Sequence, residues 1–236
     1  MNYLAIDAST EACSVALQVN DKLYTRYDLC PQSHSLQLLP MVDELLKEAD
    51  IKLSQCDGLI FGRGPGSFTG VRIGVGVAQG LAFAADLPVV GISSLQAMAQ
   101  LAFIKHQQSK VIAAIDARMG EIYNGYFVLD ENNLMQEQLL ADQTGESVTA
   151  PELVSERLVN VITKPTYGVG SGWDAYKEQL SSLKSNDGTP DVVFPSAEAM
   201  LILGKAALER GEGVAAEDAQ PVYVRDTVSW KKLPGR

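Results

Sequence analysis

YLAIDA, residues 3–8, is a short apolar run interrupted by one acid, and IAAIDA, residues 112–117, repeats its pattern in the second half of the chain. A turn and an alternating strand are expected after each run. Self-similarity at about half the chain length indicates duplication of one supersecondary unit. We therefore expect an α/β protein of two related βββαβα-type subdomains, residues 1–105 and 106–236.

Strands and helices alternate along both halves, which predicts partly parallel sheets. Apolar residues at spacings of three and four predict a helix over residues 34–49, and a second helix follows a glycine-rich loop and ends near Ala85. Ser196 is expected to cap a last helix that ends near Arg210. Residues 221–226 are expected to be extended and to pack back on the first subdomain.

The charge balance of the chain is acidic. Its 236 residues include 19 Lys and Arg against 29 Asp and Glu, for a net charge of −10. A protein that binds nucleic acid unaided usually gathers Lys and Arg to displace phosphate counterions. We therefore expect any contact with RNA to be made by another subunit.

The N-terminal residues contain no basic segment, and no run of eighteen apolar residues occurs. These features predict a cytoplasmic protein without a membrane span. The three cysteines, Cys13, Cys30 and Cys56, are odd in number and lack a Cys-x-x-Cys spacing. We expect them to be buried, reduced thiols rather than disulfides or zinc ligands.

Histidine is scarce, with only His34 and His106 in the sequence. A helical metallopeptidase site needs two imidazoles one turn apart, and a Ser–His–Asp hydrolase would have to use one of these two. We therefore predict no metal site and no catalytic residues. His34, between two serines at the start of a helix, is interpreted as a surface, capping or interface histidine.

The turn after the first strand, Asp7-Ala8-Ser9-Thr10, has two readings. In the actin, acetate-kinase and chaperone ATPase superfamily, such a turn lies against nucleotide phosphates, and Asp116 at the repeated position would join it. The alternative is a β-turn whose polar side chains satisfy nearby backbone groups. The sequence leaves both readings open.

The helix that ends near Ala85 carries a stripe of small residues, Gly76, Gly80 and Ala84, and is apolar almost all round. Each helical Gly costs about 1 kcal/mol relative to Ala, so a closely packed neighbour is expected. That neighbour lies either within the monomer, with the helix buried on several sides, or in a partner protein. In the second case this helix and the helix over residues 34–49 form an exposed apolar surface.

Several motifs resemble those of the TsaB (YeaZ) family. They comprise Ala5 to Ala16, His34-Ser35 with Leu38-Leu39-Pro40-Met41, Gly64-Pro65-Gly66-Ser67-Phe68-Thr69-Gly70-Val71-Arg72-Ile73-Gly74, Asp116 to Tyr123 and Pro221 to Asp226. They follow one another along nearly the whole chain, and the run from Gly64 to Gly74 is the most specific. No motif is identified between Leu134 and Ile162.

The resemblance implies an actin-like, chaperone-ATPase-like (ASKHA) fold. It also implies an accessory subunit that forms a homodimer and pairs with the catalytic paralogue TsaD and the ATPase TsaE. That complex transfers threonylcarbamoyl from its adenylate to the adenosine beside the anticodon of tRNA. TsaD carries a metal-binding His-x-x-x-His that this sequence lacks, so the chain is expected to be a non-catalytic relative without a cofactor of its own. The resemblance leaves open whether a nucleotide lies at the junction with TsaD.

The family's homodimer and TsaD-binding surface maps onto the two apolar helices. The expected interface residues are His34, Leu38, Leu39, Met41, Val42, Leu45, Leu46, Arg72, Ile73, Gly76, Val77, Gly80, Phe83 and Ala84. Asp7, Ser9, Thr10 and Asp116 would be the remains of a nucleotide site. The competing hypotheses are a nucleotide-dependent enzyme of the ASKHA class that uses Asp7, Thr10 and Asp116 around Mg-ATP, and a peptidase related to glycoproteases.

Overall fold

The computed structural model describes residues 1–140, 144–158, 162, 166–183, 186 and 189–225. The first half of the chain forms a five-stranded sheet in the order β3-β2-β1-β4-β5. Its strands are β1 (Asn2–Asp7), β2 (Ala12–Val19), β3 (Lys22–Leu29), β4 (Gly58–Gly64) and β5 (Val89–Ser93). β1, β2 and β3 pair antiparallel, while β4 and β5 continue the sheet parallel to β1.

Helices cover both faces of this sheet, namely α1 (His34–Glu48), α2 (Phe68–Ala85), α3 (Ser94–His106) and α7 (Ala197–Glu209). Side chains alternate between the two faces of a strand. Accordingly, Leu4 and Ile6 of β1 pack with α1 and α2, and Tyr3 and Ala5 pack with α7. α7 belongs to the second half of the sequence, so residues 197–209, which we expected in the second subdomain, help to cover the first sheet.

The second half builds a smaller sheet in the order β10-β6-β7-β8, with β9 also paired to β7. Its strands are β6 (Lys110–Arg118), β7 (Glu121–Leu129), β8 (Met135–Glu137), β9 (Ser147–Thr149) and β10 (Tyr167–Val169), and its helices are α4 (Pro151–Leu158), α5 (Gly172–Ala175) and α6 (Lys177–Leu180). β6 pairs antiparallel with β7 and parallel with β10, as β1 does with β2 and β4. The predicted fold of two related α/β subdomains is therefore confirmed.

Two serines cap the starts of helices, and Ser196 was expected to do so. Ser93 Oγ accepts hydrogen bonds from the backbone N–H groups of Leu95 and Gln96, and Ser196 Oγ accepts one from Glu198. These bonds satisfy first-turn donors that have no partner within the helix.

Candidate docking surface

α2 packs on the first sheet through one face only. The residues of that face are Gly70, Val71, Gly74, Val75, Ala78 and Ala82, all buried. A Cβ at residue 70 would overlap the carbonyl oxygen of Ala8, so the turn after β1 can approach the helix only because glycine stands there. Of the two alternatives for α2, burial on several sides within the chain is therefore not what the described residues show.

The opposite face of α2 is exposed and apolar. Phe83 is 77% exposed, Gly76, Gly80 and Ala84 are also exposed, and Ile73, Val77 and Leu81 are half-buried. A Cβ at residue 76 or residue 80 would meet no atom within 4 Å. The close neighbour that the glycine stripe predicts is therefore not another part of the described chain.

α1 contributes fewer residues to this surface than the sequence predicts. Leu38, Met41, Val42 and Leu45 are buried in the core between α1 and the sheet, so they cannot contact a partner directly. Leu46 is half-buried and packs against the same core. The exposed apolar residues of α1 are Leu39, which we expected, and Leu36, which we did not.

A groove of about 520 Å³ lies between Leu39 of α1 and the outer face of α2. Its lining consists of Leu39, Arg72, Ile73, Gly76, Val77, Gly80 and Leu81. We call these residues, together with Leu36, Phe83 and Ala84, the helix surface. Isolated exposed apolar side chains are ordinary, whereas a contiguous apolar patch makes the helix surface a candidate docking site.

Residues 221–225 cross the start of α2 and fix the position of the Arg72 side chain. Arg72 Nε donates to the hydroxyl of Tyr223 at 2.7 Å, and the guanidinium lies 3.5 Å from the centre of the Phe68 ring. The backbone N–H of Val222 donates to the carbonyl of Arg63 on β4. Phe68 and Tyr223 are half exposed, so this cluster extends the helix surface with aromatic side chains that sequence analysis did not identify.

His34 has a structural role instead of the expected interface role. It is 8% exposed, and its Nε2–H donates to the carbonyl of Thr10 at 2.7 Å. The imidazole thus ties the N-terminus of α1 to the turn after β1. Because the ring is covered by the chain itself, His34 does not belong to the helix surface.

The residues of the expected nucleotide site are occupied by contacts within the chain. Asp7 is fully buried, and burial raises the pKa of its carboxyl to about 6. Ser9 donates its backbone N–H to Asp7 Oδ1, its hydroxyl accepts a hydrogen bond from Ser94, and Thr10 Oγ1 accepts one from the N–H of Ala12. These hydrogen bonds are made within the chain and are of the kind found in a polar β-turn.

Asp116 has protein partners as well. Its carboxylate accepts hydrogen bonds from the Arg118 guanidinium at 2.9 Å and from the Tyr176 hydroxyl at 3.3 Å. Arg118 also reaches Glu11 of the first subdomain at 3.0 Å, so the pair bridges the two halves. Asp7 Oδ2 has no hydrogen-bond partner among the described residues, but it is sealed from solvent.

Other kinds of site find little support in the described part of the chain. No three His, Cys, Asp or Glu side chains there are close enough to hold a metal ion. α2 has the length and mean hydropathy, 1.3, of a membrane span, but one third of it is buried inside the protein. The packed inner face and the exposed apolar outer face together account for this hydropathy.

A family model described as TsaD, tRNA N6-adenosine threonylcarbamoyltransferase, matches residues 28–231. The tRNA threonylcarbamoyladenosine biosynthesis protein TsaB of Escherichia coli is 45% identical over the full length of both chains. Its Haemophilus influenzae counterpart is 43% identical and aligns over 100% of this chain and 98% of its own. Both relatives match from end to end, so the resemblance is not limited to one subdomain.

Two solved structures from Pseudomonas aeruginosa have the same fold. One, described as an uncharacterized protein similar to the peptidase YeaZ, is 43% identical with a TM-score of 0.85 over 95% of this chain and 99% of its own. The other, YeaZ, is 42% identical with a TM-score of 0.81 over 94% of this chain and all of its own. These matches include both subdomains and therefore both apolar helices.

Proposed function

The chain belongs to the TsaB family of tRNA threonylcarbamoyladenosine biosynthesis proteins, and we propose that it serves this modification as a non-catalytic docking subunit. Its helix surface binds a TsaD-type catalytic paralogue and, in the absence of that paralogue, a second copy of the chain. A TsaE-type ATPase completes the assembly that transfers threonylcarbamoyl to tRNA. Because tRNA is modified in the cytoplasm, this role places the chain there.

The observation that carries the proposal is the open space above Gly76 and Gly80. Each glycine destabilises the helix by about 1 kcal/mol relative to Ala. A Cβ at either position would meet nothing, so the fold itself does not require glycine there. A partner backbone that packs against the groove does require it, because small residues let two helices approach closely.

The surface around the two glycines also supports docking. Burying a large apolar side chain such as Phe83 contributes about 1.5–3 kcal/mol. Tyr223 and Arg72 are of the residue types that most often dominate binding energy at protein interfaces, and Phe68 is of a type enriched there. The net charge of −10 supports the remaining part of the proposal, that another subunit holds the tRNA.

The occupied turn at Asp7 favours a docking subunit over a nucleotide-dependent enzyme. An Asp that serves Mg-ATP has to be ionised and reachable by the metal ion. Asp7 is fully buried in the protein, so a metal ion in solution cannot reach its carboxylate. The Asp116 carboxylate forms an ion pair with the Arg118 guanidinium.

Gly80→Leu tests the proposal, since it places a bulky side chain in the groove without touching the core. The variant should fold normally by circular dichroism and lose pairing with the TsaD-type partner by at least tenfold in affinity. Glu156→Leu, which adds a leucine to the exposed face of α4, is the matched control and should bind as the unmodified chain does. Equal affinity of both variants would contradict the proposal.

A further inference from the structure

β3 is the edge strand of the first sheet, and on its outer side no strand of the described residues pairs with it. The N–H of Cys30 donates to the carbonyl of Glu11, and hydrogen bonding alternates along an antiparallel pair. The even-numbered residues of β3 therefore bond to β2. The backbone groups of the odd-numbered residues, Leu23, Thr25, Tyr27 and Leu29, point outward.

The same four residues share one face of β3, because side chains alternate. Leu23, Tyr27 and Leu29 are 44%, 50% and 58% exposed. On the opposite face, Tyr24 is buried and Arg26 forms ion pairs with Glu44 and Glu48 of α1. A free strand edge beside exposed apolar side chains is a template for another strand.

We propose that β3 pairs antiparallel with the β3 of a second copy of this chain, about a two-fold axis at Thr25. Only the outward-pointing residues can exchange backbone hydrogen bonds across this edge, so the axis passes through a residue and not between two. An axis at Thr25 or at Arg26 keeps nearly the whole strand paired. These are the two registers to be compared.

Side-chain pairing selects the axis at Thr25. This register places Lys22 opposite Asp28 and Leu23 opposite Tyr27, and the symmetry repeats both pairs. An axis at Arg26 would place the Arg26 side chains of the two copies opposite each other, and like charges directly opposite are destabilising. Both registers place exposed apolar side chains opposite each other, since an axis at Arg26 would pair Leu23 with Leu29. Only the axis at Thr25 makes the strand complementary to itself in charge as well.

A cavity of about 440 Å³ beside Tyr27 and Leu29 also fits a second copy. Leu101 and Phe194 contribute to its apolar wall. Residues directly opposite each other in a sheet point to the same face. Leu23 of the second copy, opposite Tyr27, therefore extends toward this cavity. This pairing uses none of the helix surface and does not rest on the proposed function.

Cysteine cross-linking tests the register directly. With the axis at Thr25, the Cα atoms of the two copies of residue 25 lie about 5.5 Å apart, within the range that a disulfide spans. The copies of residue 23 lie four residues apart along the strands, roughly 13 Å. Under glutathione disulfide, which is reduced as the two thiols are oxidised, Thr25→Cys should give a covalent dimer and Leu23→Cys should not.

The native cysteines are buried, so they should not contribute to the cross-link. Equal cross-linking of Thr25→Cys and Leu23→Cys would indicate random collision and overturn the proposal. A Thr25→Cys chain that stays monomeric would also overturn it, whether the edge then remains free or binds a strand of another protein.

Charge exchange gives a second, independent measurement. In a Gly80→Leu background, which blocks the helix surface, Lys22→Asp or Asp28→Lys alone should weaken the dimer roughly tenfold in analytical ultracentrifugation. The double variant restores opposite charges and should recover most of the affinity. A double variant weaker than either single one would contradict the register, and so would a Gly80→Leu chain that forms no dimer.

Discussion

Asp7 lies in a motif that is typical of nucleotide sites, but its contacts in this protein are those of a structural turn. Asp7 is the last residue of β1, where related nucleotide sites carry an acid. The sequence analysis correctly located it at the end of a buried strand. The sequence could not show that Gly62, His34 and Ser94 close over this turn, because those contacts come from residues distant in the chain. Only the structure shows that the chain itself covers this turn, which a ligand site would leave open.

Replacing Asp7 by Asn should therefore stabilise the protein at neutral pH. The pKa of the carboxyl is raised from 3.8 to about 6 in the folded state, so ionisation destabilises the fold as pH rises through that window. The difference in unfolding free energy between Asp7→Asn and the unmodified chain should be near zero below pH 4. It should reach about 3 kcal/mol above pH 6, taking 1.36 kcal/mol per unit.

Urea denaturation at several pH values measures this difference. Glu146, whose pKa burial raises to about 7, titrates in both proteins and cancels in the comparison. A variant that is less stable than the unmodified chain at pH 7 would show that the Asp7 carboxylate contributes a favourable interaction, against the present account.

At the scale of the element, apolar periodicity located α1 and α2 within one or two residues of their ends. It could not indicate which apolar face of each helix packs against the sheet, because the sheet is formed by strands that are distant in the sequence. Thus Leu38, Val42 and Leu45 were expected at the interface but pack in the core, whereas Leu36 was overlooked and is exposed. For α2, whose sequence is apolar almost all round, both faces looked alike until the position of β1 was known.

Gly80→Ala should separate the stability of α2 from its role in docking. Alanine is the better helix former by about 1 kcal/mol, and its Cβ enters open space, so the melting temperature of the isolated chain should rise. The same Cβ intrudes on a partner backbone, so affinity for the TsaD-type partner should fall. Differential scanning calorimetry and titration calorimetry measure the two effects. If stability and affinity both fall, the glycine serves the fold rather than the partner, and if both rise, the partner does not require glycine.

At the scale of the whole molecule, the repeat of YLAIDA and IAAIDA correctly indicated two related sheets. Of the contacts that join the halves, the sequence analysis anticipated only the packing of residues 221–226 on the first subdomain. α7 returns to the first sheet, Arg118 reaches Glu11, and residues 221–225 cross from the second half to the start of α2. These contacts join residues more than one hundred positions apart, which local patterns do not specify.

The acidic surface leads to a prediction about RNA. Purified chain should not bind tRNA at micromolar concentration in 50 mM salt, where phosphate contacts are strongest. Fluorescence anisotropy with labelled tRNA measures this directly. Binding that weakens steeply with added salt would reveal a basic site that neither the sequence nor the described residues contain.

Reconstituted transfer of threonylcarbamoyl to tRNA with the TsaD-type and TsaE-type proteins tests the docking role most directly. The chain alone should form no product, the full assembly should be active, Gly80→Leu should abolish the stimulation, and Asp7→Asn should preserve it. Product formation by the chain alone, full stimulation by Gly80→Leu, or loss of activity with a folded Asp7→Asn would contradict the account.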